Sequence, residues 1–345
     1  MLRGIGIIAG VILAASLFSA AAIAENKACD RACLKSIAES LPKSMASRDP
    51  SSLPLSKSYA ATENSQASSL NMMSLWRTVT GLKQAGQYVI DAKSGQVFFT
   101  AVLDEGGMPS LLMARLKVEN KSITELELFV DRSRADSGFL LQPEGLFRIP
   151  DIWTAPVPEG KKASREELLN VGKAVFDKKL PSPKASSDCV LMEMGGVVYE
   201  DPDYLVAVTP PEGKKEKSAD KKLVTIPCGM ISTRPGDPDA RVAVIDEDQG
   251  IVVSLGVVEG FVSPYLTTRA TESCFVPTSM IEDHRKYLKS LSSDQLKNRN
   301  ILQEMPASVA VMEVIRYHSN QIQGMHRFMN LQGPGAGSPW VTKLK

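Results

Sequence analysis

Two stretches of the chain alternate apolar and polar residues in the same order. Residues 110–130 (SLLMARLKVENKSITELELFV) and 310–329 (AVMEVIRYHSNQIQGMHRFM) align with Met113 on Met312, Lys117 on Arg316, Ile123 on Ile322 and Phe129 on Phe328. Period-two alternation broken by a turn at Asn120 or Asn320 predicts a half-buried β-hairpin in each copy. A second echo lies upstream of both: Val89-Ile90-Asp91 with Gly95 recurs as Val244-Ile245-Asp246 with Gly250.

Helical spacing precedes each sheet pattern. Cys33, Leu34, Ile37 and Leu41 repeat at helical intervals from Asp30 onward, with Pro42 as a kink or stop. After the Pro-rich link 150–160, Ser164 and Glu167 form a capping box ahead of Leu168, Leu169, Val175 and Phe176. The chain therefore reads as one α+β unit written twice, residues 25–160 and 161–345. The hairpin copies lie further apart than the glycine echoes. The second unit thus carries an insertion, for which residues 278–305, rich in Lys, Leu, Asp and Glu, are the helical candidate.

Residues 1–24 have Arg3, a long apolar run and Ala22-Ile23-Ala24, the form of a secretory signal peptide. The expected location is periplasmic or secreted, with no membrane attachment after cleavage. The five cysteines, Cys29, Cys33, Cys189, Cys228 and Cys274, then imply disulfides and one leftover thiol, in a pairing that spacing does not fix. Net charge is +1, which gives no global field for nucleic acid, and the Lys-rich stretch 210–222 also holds Glu and Asp. No Cys-x-x-Cys occurs and the three His are scattered, so neither a metal nor another cofactor is expected.

A helical start followed by a bent antiparallel sheet resembles the nuclear transport factor 2-like (SnoaL-like) superfamily. The chain is similar to a secreted, functionally uncharacterised family within it. The residues that carry the likeness are Cys29 to Leu34, Thr62-Glu63-Asn64, Leu75-Trp76, Arg115 to Val118, Ile123 to Glu127, Asp188-Cys189, Cys228, Arg241, and Asp246-Glu247 with Gly250. The resemblance implies two tandem cone-shaped units of helix plus curved antiparallel sheet, and a Cys189–Cys228 bridge. It implies no particular reaction. Leu191 and Glu193-Met194-Gly195 depart from the family pattern. Members often dimerise through the outer sheet face, a contact that two units in one chain would satisfy internally; a monomer is expected.

Pairing the second hairpin outward from Tyr317 opposite Ile322 puts Glu313 opposite His326, on a face with Val311, Ile315 and Phe328. The same count puts Glu125 and Glu127 on a face with Leu112, Ala114, Leu116, Val118, Ile123 and Phe129 of the first hairpin. A carboxylate on an apolar concave face suits a general base, and a Glu beside His sets the imidazole tautomer. Glu125, Glu127, Glu313 and His326 are the catalytic candidates, and Glu63, Asn64, Trp76, Arg115 and Tyr317 the ligand contacts. Three functions follow in order: an exported protein binding a small, largely apolar molecule; a cofactor-free lyase, isomerase or hydrolase using these acid–base groups; and a structural envelope protein with filled cones.

Overall fold

The computed structural model describes residues 29–132, 149–177, 179–197, 199–200, 224–225, 228, 239–262, 287–298 and 305–340. The expected signal segment and Cys274 lie outside them. So does most of the expected insertion, whose described part includes a short helix, Ser293–Asn298.

The first unit opens with α1 (Arg31–Ser47), whose N-cap Asp30 accepts from the Cys33 amide. Pro42 is accommodated inside this helix rather than ending it. Then come β1 (Leu55–Glu63), β2 (Gln66–Ala67), α2 (Ser74–Thr78), β3 (Gly81–Asp91), β4 (Gln96–Glu105), β5 (Met108–Glu119) and β6 (Ser122–Arg132). The second unit has α3 (Arg165–Ala174), opened by the Ser164/Glu167 capping box. It continues through β7 (Ala185–Glu193), β8 (Gly196–Val197), a short pair β9 (Tyr199–Glu200) and β10 (Val224–Thr225), then β11 (Asp239–Asp246), β12 (Ile251–Val262), β13 (Met305–His318) and β14 (Gln321–Gln332).

The two six-stranded sheets follow one plan. Their orders, β2-β1-β6-β5-β4-β3 and β8-β7-β14-β13-β12-β11, correspond strand for strand. Both are mixed rather than purely antiparallel as expected: β1 runs parallel to β6 and β7 parallel to β14. Hairpin-linked neighbours must be antiparallel, but β1 and β7 follow helices and are free to run the other way.

The turn glycines show why the echo is strict. Gly95 and Gly250 have φ of +67° and +62°, and a Cβ would stand 2.2 Å from the Val118 carbonyl oxygen and 2.7 Å from that of Tyr317. Each instead accepts a hydrogen bond from the amide of that same residue. Only glycine fits both the left-handed backbone and the close approach.

Both hairpins turn through two left-handed residues, Asn120-Lys121 and Ser319-Asn320. That is the geometry of a type I′ turn, which matches strand twist. Lys121→Gly is expected to stabilise the chain by about 1 kcal/mol, since a left-handed conformation costs an L-residue about that much; the urea midpoint measures it.

One bulge in each hairpin decides what faces where. Val118 pairs with Ile123 but Lys117 with Glu125, leaving Thr124 extra; Tyr317 pairs with Ile322 but Arg316 with Gly324, leaving Gln323 extra. From there a one-residue offset sends every side chain to the other face. Three layers of apolar packing result. One lies between α1, α2 and the inner face of the first sheet, and holds Leu34, Leu41, Trp76, Phe99, Leu116 and Leu128. Another lies between α3 and the inner face of the second sheet, and holds Leu168, Val171, Val252, Ile315 and Met325. The third brings the outer faces together, where Phe98 meets Phe328 with ring centroids 6.4 Å apart.

Candidate functional site

Four residues in register across the second sheet form a row: Ser254 on β12, Glu313 on β13, Arg327 on β14 and Glu193 on β7. The Ser254 hydroxyl donates to the Gly172 carbonyl of α3, 2.9 Å away, so the row lies on the inner, helix-covered face. Arg327 Nε donates to Glu313 Oε1 at 2.5 Å, and Arg327 Nη1 stands 3.5 Å from Glu193 Oε1. Glu313 is 2% exposed, and its second oxygen, Oε2, is buried without a hydrogen-bond partner. Apolar rows flank it: Val252, Ile315, Met325 and Leu191 on one side, Gly256, Val311 and Met329 on the other.

The corresponding row of the first sheet is Phe99, Ala114, Leu128 and Glu63. Only the carboxylate persists, and it is consumed: Glu63 accepts from the amides of Ser74 and Leu75 and from the Ser74 hydroxyl, capping α2. Asn64 ties the end of β1 to the Val130 amide through Oδ1. In the second unit Met194 takes that place, its sulfur receiving the Met329 amide. Trp76 is packed in the first core with its indole N–H on the Ser44 hydroxyl, so its ring is enclosed by the protein itself. Among the described residues this interior is filled by its own side chains.

Three expectations about facing need correction, all from the bulges. Glu313 lies opposite Arg327, not His326. His326 points to the outer face, 4.0 Å from the Phe328 ring, where its Nε2 accepts from the Gly195 amide. Burial pushes its pKa down to about 3, which keeps it neutral. Glu125 and Glu127 share the outer face with Lys117, Arg115 and Phe129, not the inner one with Leu116 and Val118.

That outer face holds a compensated charge cluster. Arg115 donates to Glu127 (2.7 Å), Glu125 (2.7 Å) and Gln96 (2.8 Å), and Glu127 also receives Arg241 from β11 of the second unit. The tail crosses over it: Ser338 receives Arg241, and Trp340 covers the Arg115 guanidinium at 4.9 Å while donating to Thr62. Burial holds the Arg241 pKa below the usual guanidinium range, and Glu127 works against that. Tyr317 sits half-buried near α3, its hydroxyl pKa raised by burial and by Glu167.

The charged row thus changes sides between units. Phe98, Arg115, Glu127 and Thr62 lie outward in the first, where the second has Val253, Val314, His326 and Met192. Arg327, Ser254 and the role of Glu193 escaped the sequence reading. The signal was the apolar spacing Ile123 to Leu126 and Ile322 to Met325, three positions where unbroken alternation demands two.

The units are latched reciprocally. Arg31, first residue of α1, makes two bonds to Asp246 (3.0 and 2.7 Å), and Arg165, first residue of α3, makes two to Asp91 (3.1 and 2.6 Å). Such i-to-j and j-to-i contact is what a two-fold interface makes. Burial raises the Asp91 pKa, but hydrogen bonds from Arg165 and Ser94 outweigh it and leave the carboxyl below its ordinary value.

Asp131 meets Asn330 across the same interface, receiving its side-chain N–H at 2.8 Å on Oδ1 while Oδ2 is buried without a hydrogen-bond partner. Desolvation lifts this carboxyl to about 7. A folded-state pKa above the unfolded value means stability that is present in acid and lost as pH rises toward and through 7. Asp131→Asn is expected to leave stability nearly unchanged at pH 4 and to raise it by a few kcal/mol, order of magnitude, at pH 8. Urea midpoints at both pH values measure this.

Two disulfides, Cys29–Cys33 and Cys189–Cys228, join four of the cysteines. They fit an oxidising, extracytoplasmic environment. Among the described residues no helix is long and apolar enough to cross a membrane, and no group of three His, Cys, Asp or Glu is placed to hold a metal ion.

The chain is thus a tandem protein of two helix-plus-mixed-sheet units. No family model matches it, and no curated protein does. Among solved structures it is similar to a de novo designed protein with a curved β-sheet (14% identity, TM-score 0.26, covering 30% of this chain and 88% of that one). It is also similar to a ketosteroid isomerase-like protein from Kribbella flavida DSM 17836 (11% identity, TM-score 0.25, covering 34% and 91%). Neither likeness carries an argument about this chain.

Proposed function

We propose that this is an exported protein that binds a small, mostly apolar molecule against the inner face of its second sheet, the first unit serving as a closed support. One observation carries the reading. At matching positions of the same frame, the first unit has Ala114 and Leu128 while the second has Glu313 and Arg327, leaving a buried carboxylate oxygen without a partner. An unmade hydrogen bond to a buried group is costly, and a bound molecule that supplies the donor removes the cost. The export signal and the two disulfides support action outside the cytoplasm, and the mutual covering of the outer faces supports a monomer.

Acid–base catalysis is the weaker reading, since one Glu313 oxygen is tied to Arg327 and His326 lies on the other face, neutral. Native mass spectrometry of protein purified from an oxidising compartment tests the proposal. Wild type is expected to carry a small-molecule adduct that Glu313→Gln loses and Glu125→Gln retains. A bare wild-type mass, or an adduct indifferent to Glu313, overturns it.

A further inference from the structure

We infer that the two units are joined by a proton-controlled clasp. The end of their contact at Asp131 and Asn330 is closed while Asp131 is neutral and opens when it ionises, with the arginine latches holding at the far end. This holds whatever the inner face binds.

A cluster of polar side chains sits there between otherwise apolar outer faces. Asn330 Nδ2 donates to Asp131 Oδ1 (2.8 Å) and to the Val130 carbonyl (3.3 Å). Gln332 Nε2 donates to the Ser65 hydroxyl (2.9 Å) and to Asn330 Oδ1 (3.3 Å). Each amide nitrogen carries two hydrogens, so both are fully spent. Nothing is left for Asp131 Oδ2 or Gln332 Oε1, which are buried without partners, as is the hydroxyl of Ser308 opposite Gln332. Asp131 as a residue is only partly covered, but Oδ2 is shut off from solvent.

Among the described residues no cation is turned toward this carboxyl. Arg132, next on β6, faces inward and donates to Glu105 and the Ser74 hydroxyl. Glu127, earlier on the same face of β6, is held by Arg115 and Arg241. Across from Asp131, β5 presents Leu111 and β13 presents Ala310 and Ser308. Glu259 of β12, in line with Ser308 and Gln332, is exposed and of the same sign. An ionised Asp131 therefore lacks both a second donor and a counterion, and burying it in that form is costly. Desolvation lifts its pKa to about 7, against opposing pulls from the Asn330 hydrogen bond and the Arg132 charge.

The other ties between the units lie elsewhere. Asp91 and Asp246, which hold Arg165 and Arg31, share cross-strand rows with Glu125 and Gly324. Asp131 and Asn330 come six positions further along those same two strands, about 20 Å away. Opening at that end lets water reach Asp131 Oδ2, Gln332 Oε1 and Ser308 together. A hydrated carboxyl titrates at about 4, so opening releases a proton between there and 7. Its equilibrium constant then rises about tenfold per pH unit across that window and levels off above it.

The test uses the full chain with disulfides intact. Ser308→Cys reports on the clasp, and Val89→Cys, buried in the outer-face contact two positions from Asp91, reports on the latch end. Each is made with and without Asp131→Asn and treated with dipyridyl disulfide at pH 5 and pH 8, the modified cysteine being located by peptide mass spectrometry. For Ser308→Cys, the ratio of the rate with Asp131 intact to the rate with Asp131→Asn is expected to rise at least about tenfold from pH 5 to pH 8, while Val89→Cys reacts slowly throughout. A ratio that does not change with pH overturns the clasp. So does Val89→Cys gaining reactivity in step, since the units would then part as wholes. If Ser308→Cys does not fold, ANS, which brightens on bared apolar surface, gives the same reading without an added cysteine. It should be brighter at pH 8 than at pH 5 only where Asp131 is intact, and the absence of that difference overturns the inference.

Discussion

Replacing Glu127 by alanine is expected to destabilise the protein by about 3–5 kcal/mol, the range found when one member of a buried ion pair is removed. Glu127 is 3% exposed and answers two guanidinium groups, Arg115 on its own sheet and Arg241 from the other unit. Without it Arg115 keeps Glu125 and Gln96, but Arg241 keeps only the Ser338 hydroxyl among its described hydrogen bonds. The lost free energy therefore falls mainly on the contact between units. Urea unfolding followed by circular dichroism should show a lower midpoint and a separation of one transition into two. Glu127→Gln, which keeps an acceptor, should cost about half as much. An unchanged midpoint in both variants would mean that the cluster is not a structural bridge.

Removing the Cys189–Cys228 bridge is expected to cost about 4 kcal/mol. The bond joins residues 39 apart, and the cost follows from the loop-closure entropy returned to the unfolded chain. The Cys29–Cys33 bond spans 4 residues and on the same scale contributes about half as much. The comparison is between the Cys189→Ala/Cys228→Ala and Cys29→Ala/Cys33→Ala double variants, in chemical unfolding without reductant. Equal losses would show that the bridges stabilise by some route other than chain entropy. The longer bridge starts from Cys189 on β7, beside Leu191, whose strand also brings Glu193 to the charged row. On the proposed binding function, its loss should also weaken retention of the bound molecule.

The repeat was legible because its marks are stereochemical. Gly95 and Gly250 stand where a Cβ has no room, and the Ser164/Glu167 box satisfies amides at the start of α3. Such constraints act over a few residues and survive in composition. The candidate site was less legible, because facing is a cumulative count along a strand and one inserted residue reverses it. Thr124 and Gln323, the extra residues of the two bulges, are neither Gly nor Pro, and only the three-position apolar spacing around each betrays them. Glu313 has the apolar setting that its sequence neighbours imply, but its cross-strand partner is Arg327, one position from the expected His326. The parallel strands β1 and β7 were equally hidden, since strand direction depends on how far a preceding helix carries the chain.

The paired outer faces bear on what either half could do by itself. Phe98, Phe129 and Met113 on one half, and Phe328, Val253 and Met312 on the other, are sheltered only while both are joined. A fragment cut at the link between them would bare this apolar sheet surface together with Asp91 or Asp246, stripped of its arginine. Two identical fragments could restore the same exchange of arginines by pairing with each other. Each half produced separately should accordingly recover as a self-associated dimer or precipitate, and mixing both during refolding should regenerate a one-to-one heterodimer.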